Sequence, residues 1–312
     1  MNDDGDSWER DVIEKLAKDA LAEQKRARRW GIVFKALMFV YLFILLFVWL
    51  GWLGEGDGIE KGEHTAVVDV SGIIAPDSQA NASDIMAGLK AAFEADGAKA
   101  VILRINSPGG SPVQAAYINS EMRRLRELHP EIPLYAVIED ICASGGYYVA
   151  VAADQIFVSE ASIVGSIGVL MNGFGFTGTM DKLGVERRLL TAGENKGFMD
   201  PFSPLDGKQR QHANNMLNEI HAQFIDAVRL GRGERLKEDA QTFSGLVWTG
   251  QKSVEMGLAD ALGSVAYVAR DVVQAEKLVN YSRRESLLDR VARRVGASLG
   301  AVIAREIGLK VR

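Results

Sequence analysis

Pro133-Leu134-Tyr135-Ala136-Val137-Ile138-Glu139-Asp140-Ile141-Cys142-Ala143-Ser144-Gly145-Gly146-Tyr147-Tyr148 is an apolar run followed by a glycine turn, and small residues continue to Ala153. The pattern predicts a strand that stops, a sharp reversal, and a helix that begins at Ser144. Such a turn lifts the Ser144 hydroxyl to a helix N-terminus, where free backbone N–H groups can hold a developing oxyanion. The ordinary alternative is an N-cap serine whose oxygen binds those same amides. A serine nucleophile needs a base, which another part of the chain must supply.

Outward from this turn, strand and helix alternate. Ala66–Val70 reads as a strand, Ala82–Ala95 as a helix and Ala100–Asn106 as a buried strand. Ser107-Pro108-Gly109-Gly110-Ser111-Pro112 is a turn whose last proline suits a first helical position, and that helix should run to about Leu128. Leu134–Ile138 and Gln155–Val158 are the next strands. The order predicts an α/β domain with a mainly parallel sheet. Both glycine turns then fall at carboxyl ends of strands, where such sheets place their sites. Further on, the pattern predicts a helix over Phe176–Leu183, a strand over Glu186–Leu190, an irregular loop over Gly193–Pro204, and helices over Asp206–Arg232 and Ser264–Val279.

Residues 31–53 carry a different signal. Eleven large apolar residues, among them Leu42, Phe43, Ile44, Leu45, Leu46 and Phe47, crowd one window. Together they favour membrane insertion by roughly 3–6 kcal/mol, and the run is long enough to span hydrocarbon. Lys25, Arg26, Arg28 and Arg29 precede it, while Glu55, Asp57 and Glu60 follow. The basic flank stays cytoplasmic, so everything after the span is expected outside, which in a bacterium with two membranes is the periplasm. The partly acidic leader and the lack of a small-x-small site favour an uncleaved anchor in the inner membrane. Residues 1–30 form a polar amphipathic segment that lies on the membrane or extends the anchor helix. Residues 54–63 read as a flexible linker, 64–280 as the folded domain, and 281–312 as a basic amphipathic tail suited to a membrane surface or a neighbouring subunit.

Composition narrows the chemistry. A net charge of −5 argues against nucleic acid as a partner, and the single cysteine, Cys142, forbids an intrachain disulfide. No metal cluster or phosphate loop is recognisable, so no cofactor is expected. Cys142 lacks a histidine or lysine beside it to make a thiolate and reads as a small buried residue. His64, His129, His212 and His221 all lie outside the glycine turns, which leaves a Ser-His-Asp triad poorly supported. Lysine is the other known partner for serine. Lys196, in Gly193-Glu194-Asn195-Lys196-Gly197-Phe198, is the candidate, against the reading of a solvated loop charge. A lysine acts as a base only when uncharged, and bringing an ordinary ammonium to neutrality near pH 7 is a differential of about 4 kcal/mol. Burial against Phe198, Met199 and Phe202 could supply it.

Four ordered motifs together resemble the signal peptide peptidase A family: Asn106-Ser107-Pro108-Gly109-Gly110, Asp140 through Tyr148, Val164-Gly165-Ser166-Ile167-Gly168-Val169, and Gly193-Glu194-Asn195-Lys196. The resemblance covers about His64 to Ala275, and the anchor and length resemble the short bacterial form. It implies a crotonase-like fold and a Ser-Lys dyad, with Ser144 as nucleophile and Lys196 as base. It also implies that Ser166 orients the lysine amine, and that Gly109, Gly110 and Gly145 supply the oxyanion loop. The family further implies a homo-oligomeric ring whose sites join the serine of one subunit to the lysine of the next. Its substrates are hydrophobic peptides, the remnants of signal peptides, bound extended, with Leu170, Met171 and Phe174 as candidate lining. Cys142 departs from the small non-thiol residue expected there. A broader envelope quality-control peptidase is the nearest alternative. A crotonase-type acyl-CoA enzyme and a non-catalytic scaffold are more distant ones.

Overall fold

The computed structural model describes residues 4–54 and 62–283. It divides into two compact units, residues 1–60 and 61–312. The basic tail from residue 284 on and most of the expected linker lie outside the described residues.

In the first unit, helix α1 runs without interruption over Asp4–Gly54. Its 51 residues would measure about 75 Å, more than twice a bilayer's hydrocarbon thickness. The amphipathic leader therefore extends the apolar helix. Glu14–Trp49 holds a window long and apolar enough to cross a membrane, by length and composition.

The second unit is built on an eight-stranded sheet in the order β6-β5-β3-β2-β1-β8, with β4 beside β3 and β7 beside β4. Its elements in chain order are β1 (His64–Ser71), α2 (Ala82–Phe93), β2 (Ala98–Ser107), α3 (Pro112–Leu128), β3 (Leu134–Ala143), α4 (Gly145–Ala150), β4 (Gln155–Val158), β5 (Ile163–Gly165), α5 (Thr177–Leu183), α6 (Gly207–Arg232), β6 (Val247–Thr249), α7 (Gly250–Glu255), β7 (Ala261–Leu262) and β8 (Leu278–Asn280). Every pairing is parallel except β5 with β6, so the expected mainly parallel α/β architecture holds. The alternate residues Val68, Val70, Leu103, Ile105, Ala136 and Ile138 are buried with Leu89, Ile118 and Met122 of α2 and α3. The opposite face carries a smaller cluster of Val67, Ile102, Val137 and Phe157 under Val268. Strands buried on both faces read as continuous apolar runs, which is why they were legible in the sequence.

Helix boundaries follow local chemistry. Asn81 accepts from Asp84 N–H to start α2, and Ser111 accepts from Gln114 N–H to start α3. Asp206 accepts from the N–H groups of Lys208 and Gln209 to start α6. Two expectations fail. Residues 186–190, expected as a strand, form none. Without a partner among the described strands, an extended segment has no ladder to join. The helix expected over Ser264–Val279 is only a helical turn, Val265–Tyr267, continuing as a π-helix, Val268–Val272. Gln274 then takes a positive φ of 61°, and Leu278–Asn280 pairs along Thr65–Val67. Covering the open edge of β1 outweighs the helical tendency of that segment.

β3 serves two neighbours in succession. Tyr135–Val137 pair with β4, and Ile141–Ala143 pair with β5. The register against β2 also shifts between Ile105 and Ser107. A bulge of this kind re-aims the chain next to a site.

Candidate active site

β3 ends at Ala143 and α4 begins at Gly145. Ser144 between them holds φ 51°, ψ −122°, a conformation that costs a non-glycine residue about 1–3 kcal/mol. Its side chain makes no capping hydrogen bond, so the N-cap alternative fails and the hydroxyl remains available. Its N–H donates to Gly165 O at 2.8 Å, which ties the serine to the end of β5.

The Pro-Gly-Gly loop packs directly on this turn. A Cβ on Gly109, at φ 98°, would sit 2.6 Å from Gly145 N and 2.7 Å from Ala143 O. Only glycine permits that approach. The Gly109 N–H is taken: it donates to Ser107 Oγ at 3.1 Å, whose own hydroxyl donates to Gly72 O at 2.6 Å. Ile74 then bridges the loop, donating to Gly109 O at 2.8 Å and accepting from Ser111 N–H at 2.7 Å. Gly110 N–H takes no part in that bridge and lies 3.2 Å from the Cβ position of Gly145. Gly145 N–H is the first of α4 and has no intrahelical acceptor. Gly110 N and Gly145 thus lie close together beside Ser144, while Gly109 supplies the turn.

Ser166 follows β5 at φ 52°. Its N–H donates to Leu246 O at 2.7 Å. Ser144, Ser166, Gly110 and Gly145 share one pocket of about 840 Å³, walled by Pro108, Val113, Tyr148, Leu170, Ile220 and Phe224 among others. A chamber of this size, largely apolar with a few convergent polar groups, has the character of a ligand site. Tyr148 and Phe224 pack with ring centroids 5.1 Å apart. Met171 and Phe174, named beside Leu170 as candidate lining, are exposed and stand outside the pocket wall.

Lys196 is not brought to this pocket within one chain. It lies exposed in a run of turns over residues 194–199 and is absent from the wall. The aromatic residues expected to bury it are engaged elsewhere. Phe198 meets His212 edge-on at 5.6 Å, and Phe202 stacks on Phe176 at 5.5 Å.

Cys142 is fully buried in the core, and burial pushes its thiol well above the ordinary range. Alkylating reagents are therefore expected to leave it unmodified in the folded protein and to label it only under denaturant. Mass spectrometry of the native protein showing rapid stoichiometric labelling would contradict this. None of the four histidines is hydrogen-bonded to Ser144. His64 is buried between Gly62 O and Tyr281 Oη, each at 2.9 Å. His221 Nε2 lies 3.1 Å from Ile167 O. The sequence reading missed the part of α6: Ile220 and Phe224 recur at helical spacing, but the surrounding polar residues masked that face.

Residues 126–280, a stretch that contains Ser144, Ser166 and Lys196, match a family model described as peptidase family S49. The chain is 40% identical over 220 residues to the Na(+)/H(+) antiporter NhaA of Brucella melitensis, across 70% of this chain but only 30% of that protein. It is 30% identical over 204 residues to a putative signal peptide peptidase SppA of Enterococcus faecium, across 63% of this chain and 59% of the other. It is 30% identical over 228 residues to Protease 4 of Haemophilus influenzae, covering 72% and 36%. The chain thus spans less than two thirds of each of these relatives.

Proposed function

Through residues 126–280 the chain belongs to peptidase family S49, the signal peptide peptidase A family, and from that premise we propose that it is a membrane-anchored serine endopeptidase with a Ser-Lys dyad. The observation that carries the reading is the strained Ser144, its hydroxyl uncapped, in one pocket wall with Ser166 and the Gly110 and Gly145 amides.

In this reading a neutral Lys196 takes the Ser144 proton as Oγ attacks the peptide carbonyl carbon. The tetrahedral oxyanion accepts hydrogen bonds from Gly110 N–H and Gly145 N–H. The lysine ammonium passes its proton to the leaving amine, and an acyl-enzyme remains. Water, deprotonated by the same lysine, then attacks the acyl carbon; the bond to Ser144 Oγ breaks and the lysine returns the proton to that oxygen. Ser166 holds the amine toward Ser144. Because Lys196 is exposed and away from the pocket of its own chain, the base comes from a neighbouring copy in a homo-oligomeric ring. An exposed lysine reaches the uncharged state only when such an assembly buries it. The substrates are hydrophobic peptides, remnants of signal peptides, that enter the apolar chamber in extended form. The anchor lies in the inner membrane with the N-terminus cytoplasmic and the catalytic unit periplasmic.

A serine-directed acylating probe applied to the detergent-solubilised full chain tests this. Label is expected on Ser144, absent from Ser144→Ala and sharply reduced in Lys196→Ala. Peptidase activity that stays flat from mildly acidic to alkaline pH would count against a lysine base. Assays on signal peptides beside unfolded envelope proteins separate the narrow substrate class from general quality control.

A further inference from the structure

The turn that carries Ser166 is held at three successive residues. Gly165 O accepts from Ser144 N–H at 2.8 Å, and Ser166 N–H donates to Leu246 O at 2.7 Å. The third contact is His221 Nε2 with Ile167 O at 3.1 Å. A carbonyl can only accept, so Nε2 carries the proton. This is the one contact of the three made by a side chain. Ile167 is fully buried, and its carbonyl would lose this donor if the imidazole were removed.

We propose that His221 is a positioning residue for the reaction, acting through Ser166. The inference rests on the reading that Ser166 orients the base. His221 comes from α6, whose Ile220 and Phe224 form part of the pocket wall. The bond therefore fastens the serine turn to the wall that receives substrate. Ser166 keeps a positive φ of 52° only while its neighbours over-determine it. Without the imidazole, the turn relaxes toward an ordinary conformation and the Ser166 hydroxyl leaves its line to the base. Because the defect lies in aligning the base, it falls on turnover and leaves substrate affinity in place.

The test uses the detergent-solubilised full chain and compares His221→Gln with His221→Met, with Ser166→Ala alongside. Gln and Met are of similar length, but only Gln donates a hydrogen bond. His221→Met is expected to lower kcat by about tenfold or more with KM held within about twofold, and His221→Gln to restore most of the turnover. Equal kcat for the Gln and Met variants, whether both high or both low, would overturn the proposal while leaving the dyad reading intact so long as Ser166→Ala is impaired. Full turnover in Ser166→Ala would instead remove the role of Ser166 itself, and the proposal with it. Thermal melting of each variant, expected to stay near wild type for His221→Gln, separates misalignment from loss of fold.

Discussion

Co-assembled Ser144→Ala and Lys196→Ala subunits are expected to recover up to about one quarter of wild-type activity, although each variant alone falls by at least about 10³-fold. In the proposed ring each site takes its serine from one subunit and its lysine from the next. In an equal random mixture, half the subunits bring an intact serine and half of their neighbours an intact lysine, so about one site in four is whole. The structure motivates the arrangement from two sides. Lys196 stands exposed away from the Ser144 pocket of its own chain. The stretch between β5 and α6 also displays large apolar side chains to solvent: Leu170 is 81% exposed, Phe174 76% and Leu190 95%. Large apolar side chains left in water to this degree fit a surface that a neighbouring copy covers. Mixed oligomers shown by cross-linking to contain both variants, yet without activity, would exclude shared sites.

The largest effect on stability is expected at Arg232. This side chain is 1% exposed at the end of α6. Its two terminal nitrogens donate to the two Asp260 oxygens at 2.8 Å, and Nε donates to Gly257 O at 2.8 Å. Asp260 also accepts from Ile156 N–H at 2.7 Å and from Arg235 at 3.1 Å. One carboxylate thus joins α6 to the loop after α7 and to β4. Arg232→Ala leaves that partly buried carboxylate without its main partner and is expected to cost about 2–4 kcal/mol, read from the urea midpoint. Burial works to raise the Asp260 carboxyl, but the Arg232 hydrogen bonds and charge, the Ile156 amide and Arg235 outweigh it and hold it below the usual carboxylate range. A depressed folded value means the contribution is complete above the unfolded value, near 3.9, and is lost as pH falls through the folded one. Wild type should therefore lose stability steeply in acid, while Asp260→Asn starts lower and declines less. Parallel acid profiles for the two proteins would show that Asp260 is not the linked group.

Much of the scaffold could be read in advance. The helix over Pro112–Leu128 and the strand over Gln155–Val158 were legible because proline, capping serine and apolar runs act locally. Short strands were not. Ile163–Gly165, Val247–Thr249 and Leu278–Asn280 are too brief to show a period, and each exists because a partner strand accepts it. The segment over residues 186–190 shows the converse, since β-compatible residues without a partner make no strand.

At the site the same division holds. Composition and order alone identified the serine turn, the Pro-Gly-Gly loop and the want of a placed histidine, because glycine and proline carry their backbone meaning wherever they stand. Folding settled which atoms meet. It assigned the Gly109 amide to Ser107 and left that of Gly110 beside Gly145. It set Ser144 and Ser166 at positive φ, brought His221 to the Ile167 carbonyl from 54 residues away, and kept Lys196 out of its own pocket. Turns and strands are decided within a few residues, whereas hydrogen-bond partners and burial depend on segments far apart in the chain that only packing makes neighbours.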